Sequence, residues 1–349
     1  MMSETTAPRT YKDFAQPIVR RLLLTRESAI IALLIVVLIS ASLIVPSFAS
    51  AATATYLMLD VATILLISLL MAPIMITGDI DLSVGSMVGL SSVVFGVAFQ
   101  AGLPVPVGIV LALVVGAVGG LFNGWLITHI DLPALAVTIG TMALFRGIAV
   151  GLLGTTAVTG FPQEWTKLAR AKIGDSPIPV IMILFVVLLM GAVWMLHFSK
   201  FGRGIFAIGL SKEAAAFSGV DVARTRLILF VLSGTIAALA GVYFTLRYGS
   251  ARGDNATGLE LQVIAAVVLG GVSVFGGRGA LHGVIAGVFL IGALSSALRL
   301  ANVTSDVINI ITGVLLVASV IASSVLDWFK RQRARRALRS ATQQPVTTG

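Results

Sequence analysis

Residues 56–86 read YLMLDVATILLISLLMAPIMIT followed by GDIDLSVGS. The run Tyr56–Thr77 carries one charge, Asp60, and the break behind it carries Asp79 and Asp81. A helix needs about 20 apolar residues to cross the hydrocarbon core of a bilayer, and this run supplies them. The break does not belong in lipid, because an Asp at the bilayer centre costs roughly 2.5–3.5 kcal/mol on insertion scales. A span that stops at two acids and resumes as an apolar segment predicts an all-α polytopic membrane protein with interrupted helices.

The rest of the chain agrees. Of 349 residues, 57% are hydrophobic and only 11% charged, with a mean hydropathy of +1.03. Soluble domains carry about 25% charged residues. An ordinary soluble enzyme, a nucleic-acid-binding domain and a disordered scaffold are therefore excluded. Apolar windows bounded by charge, Pro or Gly predict ten transmembrane helices, at 28–48, 56–77, 83–100, 104–127, 133–153, 178–198, 226–246, 260–275, 280–299 and 305–326. Ser28–Val45 is too long for the apolar region of a signal peptide and reads as a retained first span. The organisation is a tail at 1–27, a transmembrane domain at 28–326 and a basic tail at 327–349.

Ten spans put both termini on one side, and most of the 24 basic residues fall there. They include Arg20, Arg21 and Arg26 before the first span, Lys200, Arg203, Lys212, Arg224 and Arg226 in the 199–226 loop, Arg278, and the run from Lys330 to Arg339. Cytoplasmic loops collect Lys and Arg, so both tails and that loop are placed in the cytoplasm. The net charge of +9 is a matter of topology and membrane lipid, and no nucleic acid is implied. There is no cysteine, and His129, His197 and His282 have no metal-site spacing. No phosphate-cradling G-x-x-x-x-G-K-[ST] occurs, nor H-E-x-x-H, nor G-x-S-x-G. No cofactor, metal or catalytic role is expected, and any ATP hydrolysis would need a partner chain.

Two connections are long. The outer one, 154–177, holds Phe161, Trp165, Lys167, Leu168 and Arg170, and Trp165, Leu168 and Ala169 share one face of a helix lying on the outer surface. In the cytoplasmic one, Ser211 precedes Lys212, Glu213, Ala214 and Ala215, and Gly219 follows; this reads as an N-capped helix stopped by glycine, a docking surface. Glycines at close spacing within the spans, Gly116, Gly119, Gly120 and Gly124 and then Gly283, Gly287 and Gly292, read as helix packing. Gly78-Asp79 before the third span and Gly253-Asp254 before the eighth form a repeat five spans apart, which makes its halves inverted.

Candidate path residues are Asp79, Asp81, Ser83 and Ser86, with Ser91 and Ser92 continuing the polar face. The alternative reading is that the two acids cap the start of the third span. Arg146, the one basic residue within a span, is a further candidate path residue: it lines a cavity, pairs with Asp60, Asp79 or Asp81, or snorkels outward. A proton-coupled transporter using Asp79 and Asp81 is the rival to an ATP-driven one.

Gly78-Asp79-Ile80-Asp81-Leu82-Ser83-Val84-Gly85-Ser86 resembles the signature of membrane subunits of ribose-type sugar ABC importers, a group covering ribose, xylose, arabinose, galactose, rhamnose and autoinducer-2 systems. Three more blocks are similar in the same order: Val137–Thr141 through Arg146-Gly147, Phe201-Gly202-Arg203 with Ala207-Ile208-Gly209, and Val268–Gly271 with Phe275–Gly279. The resemblance covers about residues 28–326 and implies a bacterial inner-membrane permease working by alternating access. The partners it implies are a cytoplasmic ABC ATPase, a periplasmic or lipid-anchored sugar-binding protein, and a second permease copy or paralogue. Glu213-Ala214-Ala215 with Gly219 resembles the EAA-x3-G loop that grips the ATPase, with Ser211 and Lys212 leading into it. On this resemblance, Phe161, Trp165, Lys167 and Arg170 are candidate contacts for the binding protein. Ala157–Pro162 and Ser250–Arg252 through Gly258–Glu260 look most like rhamnose-type permeases. The chain departs from many relatives at Ser295-Ser296-Ala297-Leu298, where they carry Asn-Gly-Leu.

Overall fold

The computed structural model describes residues 26–315 together with 317, 318 and 321. The tails at 1–27 and 327–349 therefore lie outside the described residues, except for Arg26 and Glu27. In chain order the helices are α1 (Arg26–Ile44), α2 (Ala51–Ile76), α3 (Val84–Gln100), α4 (Val105–Thr128), α5 (Ala134–Leu153), α6 (Gln163–Arg170), α7 (Ile181–Val193, continued by a wider turn over Trp194–Phe198), α8 (Lys200–Leu210), α9 (Lys212–Phe217), α10 (Val222–Tyr248), α11 (Leu259–Leu269), α12 (Leu281–Leu300) and α13 (Ser305–Leu315). Each apolar window of the sequence becomes a helix. Among the described residues seven helices are long and apolar enough to cross a membrane, and three of the ten windows give shorter apolar helices, the last of them, 305–326, described only in part. Helices α3 and α11 have 17 and 11 residues, because the polar and glycine-rich segments beside them are not helical.

Position follows from how each helix distributes its apolar residues. Helix α2 is apolar all round and is enclosed, with 94% of its most apolar stretch buried, against 6% for α1. It stops where the break begins: Pro73 lies in its last turn, and the N–H groups of Thr77 and Gly78 close back on Pro73, Ile74 and Met75. Helices α4 and α10 cross with their backbones nearly touching. A Cβ on Gly116 would lie 2.4 Å from the carbonyl oxygen of Gly234, and one on Gly120 2.2 Å from that of Phe230. Lipid gives helices no hydrophobic reason to associate, so this close approach is what holds them together. Gly283 and Gly287 serve α12 in the same way against Gly270 and Ala266 at the end of α11.

The two halves of the repeat lie at opposite ends of α10. Asp79 is bound to Arg226 in its first turns, whereas Asp254 follows its last residue, Tyr248. At 1.5 Å per residue, α10 is about 40 Å long. Helices α3 and α11 start against each other, since a Cβ on Gly85 would be 3.2 Å from the backbone nitrogen of Glu260. From that meeting point α3 runs toward the Ala251 end and α11 toward the other.

The 154–177 connection is fastened rather than free. A two-stranded antiparallel ribbon pairs β1 (Val158–Thr159) with β2 (Ser250–Ala251), Val158 opposite Ala251. Phe161 is buried, stacked on Phe95 at 5.2 Å and on Phe99 at 4.8 Å. In α6, Trp165 and Ala169 pack inward, while Leu168 is 53% exposed. The expected shared face is thus corrected: positions 165 and 169, one turn apart, face the protein, and Leu168 does not.

Candidate functional site

The break between α2 and α3 is closed by charge. Gly78 turns the chain with φ of +84°, a left-handed conformation that glycine takes without strain. Asp79, 4% exposed, then meets Arg226, whose Nε and Nη2 lie 2.6 and 2.9 Å from its two carboxylate oxygens. Nζ of Lys212 donates to Asp79 Oδ1 at 3.4 Å. Two cations on one buried carboxylate hold the exit of α2 to the start of α10 and to α9. The same corner is clamped by backbone. Gly277 N–H donates to the carbonyl of Ile76 at 2.8 Å, and Gly209 fits against both, where a Cβ would lie 1.8 Å from that oxygen.

Asp81 has different work. Its Oδ1 accepts from the backbone N–H and hydroxyl of Ser83 at 3.0 and 2.6 Å, and its Oδ2 from Ser233 at 3.0 Å. Ser83 accepts in turn from Asn123 at 2.8 Å, and the Ser86 hydroxyl donates to the Ser83 carbonyl. Asp81, Ser83 and Ser86 are all buried, forming a polar knot at the start of α3. Neither acid caps the helix: its N-cap is Ser83, which makes no side-chain capping bond, Asp79 is bound to Arg226 and Lys212, and Asp81 ties Ser83 to Ser233. Ser91 and Ser92 are buried too: Ser91 donates to carbonyls of its own helix, and Ser92 is bound to Thr245 and Asn255.

Arg146 pairs with none of the three aspartates considered for it. Its Nη1 donates to the carbonyl of Asn255 at 2.7 Å and to that of Gly253 at 3.4 Å, bridging α5 to the loop before α11. Glu260, marked in the sequence only as the end of the Gly258–Glu260 stretch, lies close enough to act on it electrostatically. Oε2 of Glu260 is buried without a hydrogen-bond partner among the described residues and faces Gly85. That carboxylate sits between the first turns of α3 and α11, where the positive ends of two helix dipoles favour an anion.

The candidates of the 199–226 loop form the expected helix. Ser211 caps α9 by accepting from the Ala214 N–H at 3.1 Å, and Gly219 closes its end at φ of +86°. Glu213 is exposed, and its own backbone amide and the Ser211 hydroxyl hold its carboxyl below the ordinary value. Ala215 is buried at 2%, whereas Phe217 is 93% exposed. A helix that presents a carboxylate and an uncovered phenyl ring, and whose lysine reaches Asp79, is suited to receiving force from outside the chain.

Of the outer candidates, Trp165 is half-buried, Lys167 and Arg170 are exposed, and Phe161 lies inside. Arg170 also donates through Nε to the Arg247 carbonyl at 2.6 Å. Sequence reasoning missed Arg226, Asn123 and Ser233 as the partners of the signature. It also missed the cluster of Asp60 with Arg247 and Arg299. The signal for these was a charged or polar side chain inside or beside an otherwise apolar window.

The family described as "Branched-chain amino acid transport system / permease component" matches residues 53–320. The chain belongs to this permease family. The permease is 35% identical over 320 residues to the autoinducer 2 import system permease protein LsrD of Escherichia coli O157:H7, covering 89% of this chain and 96% of that one. It is 34% identical over 292 residues to the LsrD protein of Yersinia pseudotuberculosis serotype O:3 (strain YPIII), covering 80% and 87%. No solved structure matches it. The matched region starts in α2 and runs beyond α13, so the signature, the α9 loop and the Glu260 junction all lie within it.

Proposed function

We propose that this permease is the membrane-spanning subunit of an ATP-driven importer of a monosaccharide or of autoinducer 2. It lies in the bacterial inner membrane with both termini cytoplasmic. It works with a cytoplasmic ABC ATPase, a periplasmic or lipid-anchored binding protein and a second permease copy or paralogue, and catalyses no covalent step itself. Relatives named for autoinducer 2 favour that cargo over rhamnose. The observation that carries the reading is the ion pair from Lys212, on the docking helix, to Asp79 in the signature. Movement of α9 by a partner ATPase is passed through Asp79 to the end of α2 and, through Arg226, to α10. The Ile76–Gly277 contact extends it to the 270–280 segment, so both halves of the repeat shift together. Glu213 and Gly219 set the shape of the docking helix, and Trp165, Lys167 and Arg170 offer the binding protein a surface at the other end of α10.

The geometry does not favour the proton-coupled rival. Asp79 is bound to two cations and Asp81 to three hydrogen-bond donors, so both carboxylates are engaged in tying helices together. Uptake into proteoliposomes holding the permease, the ATPase and the binding protein tests the choice. Uptake is expected to require ATP and to survive collapse of the proton gradient. Uptake driven by the gradient without ATP would establish the rival.

A further inference from the structure

At the end of the molecule away from α9, a cleft of about 570 Å³ opens between α2, α10, the 252–257 loop, α11, α12 and α13. Its volume falls within the range of small-molecule sites, roughly 300–1,000 Å³. Its walls are strongly polar for a protein of this composition. Asp60 lies in the third turn of α2 and is held by Arg247, 8% exposed, and by Arg299 at 3.2 Å. Across the opening, Arg252 and Asp254 form a two-pronged pair with both contacts at 2.8 Å. Charges placed within apolar helices are costly and mark pathways or sites.

The chemistry of the lining selects a ligand class. Two carboxylates, Asp60 and Asp254, and three guanidinium groups, of Arg247, Arg252 and Arg299, line it, and each carboxylate is already paired within the wall, so a neutral molecule with many donors and acceptors would find partners without breaking an ion pair. The amides of Gln262 and Asn309 add further paired donors and acceptors. Phe244 and Tyr248, tilted with centroids 4.5 Å apart, supply an aromatic wall. Arg299 makes one hydrogen bond among the described residues, to Asp60, and an arginine has five N–H groups to offer. A smaller hollow of about 270 Å³ shares Asp60 and Arg299, so this pair is the partition between the two spaces.

We propose that this cleft is an outward-facing binding site for a neutral polyhydroxylated ring, held by Asp60, Arg252, Asp254 and Arg299 and stacked on Phe244 and Tyr248. The proposal rests on the transport reading and adds to it a site within a single permease chain. Cargo received there sits one α10 length from the ATPase contact, and Arg299 must release Asp60 for the ligand to move into the smaller hollow.

The test uses the full permease–ATPase complex in lipid nanodiscs, without binding protein, titrated with tritiated D-ribose, L-rhamnose and autoinducer 2. At least one probe is expected to bind saturably. The exposed-residue variants Arg299→Gln and Asp254→Asn, each removing one charged partner, should weaken that binding about tenfold or more while the ATPase still co-purifies. Saturable binding unchanged in both variants would overturn the site. So would an absence of binding by a complex that still imports one of these probes when the binding protein is added. Loss in Arg299→Gln of a co-purifying phospholipid, with no probe bound by the parent complex, would also overturn it by making the cleft a headgroup site. Failure of the transport reading looks different, since the chain would then purify without an ATPase.

Discussion

Asp79 is a buried acid whose partners are unequal. Arg226 is 8% exposed, and removing it leaves the carboxylate without its main partner; breaking a buried pair from one side costs about 3–5 kcal/mol. Arg226→Met is therefore expected to lower the melting temperature of the purified protein sharply. Lys212 is 44% exposed, and half-exposed pairs contribute about 0–1 kcal/mol. Lys212→Met should leave the melting temperature nearly unchanged yet separate ATP hydrolysis from uptake in proteoliposomes. A Lys212→Met protein that imports at the parent rate would show that Asp79 does not carry the coupling. At this scale the sequence marks the anomalies and leaves their partners unnamed. Asp79 and Asp81 stand out because acids are rare in apolar segments. Arg226 and Ser233, about 150 residues further on, are brought to them only by the path of α10. Arg146 shows the same limit: an acid is the natural partner to expect, but the fold presents two backbone carbonyls.

Between elements, glycine position decides which helices can touch. A Cβ on Gly234 would lie 2.2 Å from the Gly116 carbonyl oxygen, so Gly234→Val must push α4 and α10 apart. Overpacking of this kind costs about 1–3 kcal/mol, and more where backbone is the obstacle. Gly147 in α5 has nothing within 4 Å of an added Cβ, and Gly147→Ala is expected to be neutral or slightly stabilising. Thermal unfolding of the two variants side by side checks the contrast; equal losses would mean that the α4–α10 crossing is not where stability lies. The junction of α3 and α11 gives a charge-based counterpart. Glu260→Gln should insert and fold, whereas Glu260→Lys sets a cation against two helix N-termini and Arg146 and should abolish recovery of folded protein. Helix boundaries were legible within a few residues, because apolar run length and the flanking Pro, Gly and charges set them. The windows at 83–100 and 260–275 also stand out in the sequence as short and rich in Gly and Ser, and both give short helices; that the second stops at Leu269 was not legible, since the same composition serves a helix and the glycine-rich loop behind it. The stacking of Phe161 between α3 side chains was hidden as well, because a phenyl ring in a polar loop reads as surface until β1 and β2 are paired.

Across the whole molecule, α10 joins the two regions that matter. Its first turns hold Arg226 on Asp79, and its last turn places Arg247 on Asp60. The inverted repeat makes the ends alike, each a glycine–aspartate break beside a short helix, and the charged partners make them different. The α9 end has an exposed carboxylate and phenyl ring, and the far end has a polar cleft. The central claim is that α9 receives its motion from a separate ATPase. The most direct measurement is an affinity purification of the tagged permease from its native membranes, in a mild detergent, with bound proteins quantified by mass spectrometry, for the parent chain and for Gly219→Leu. The account predicts a P-loop ATPase in stoichiometric amount with the parent and its loss with Gly219→Leu, although the variant still inserts. A parent chain recovered alone, under conditions that keep another ABC complex whole, would contradict it.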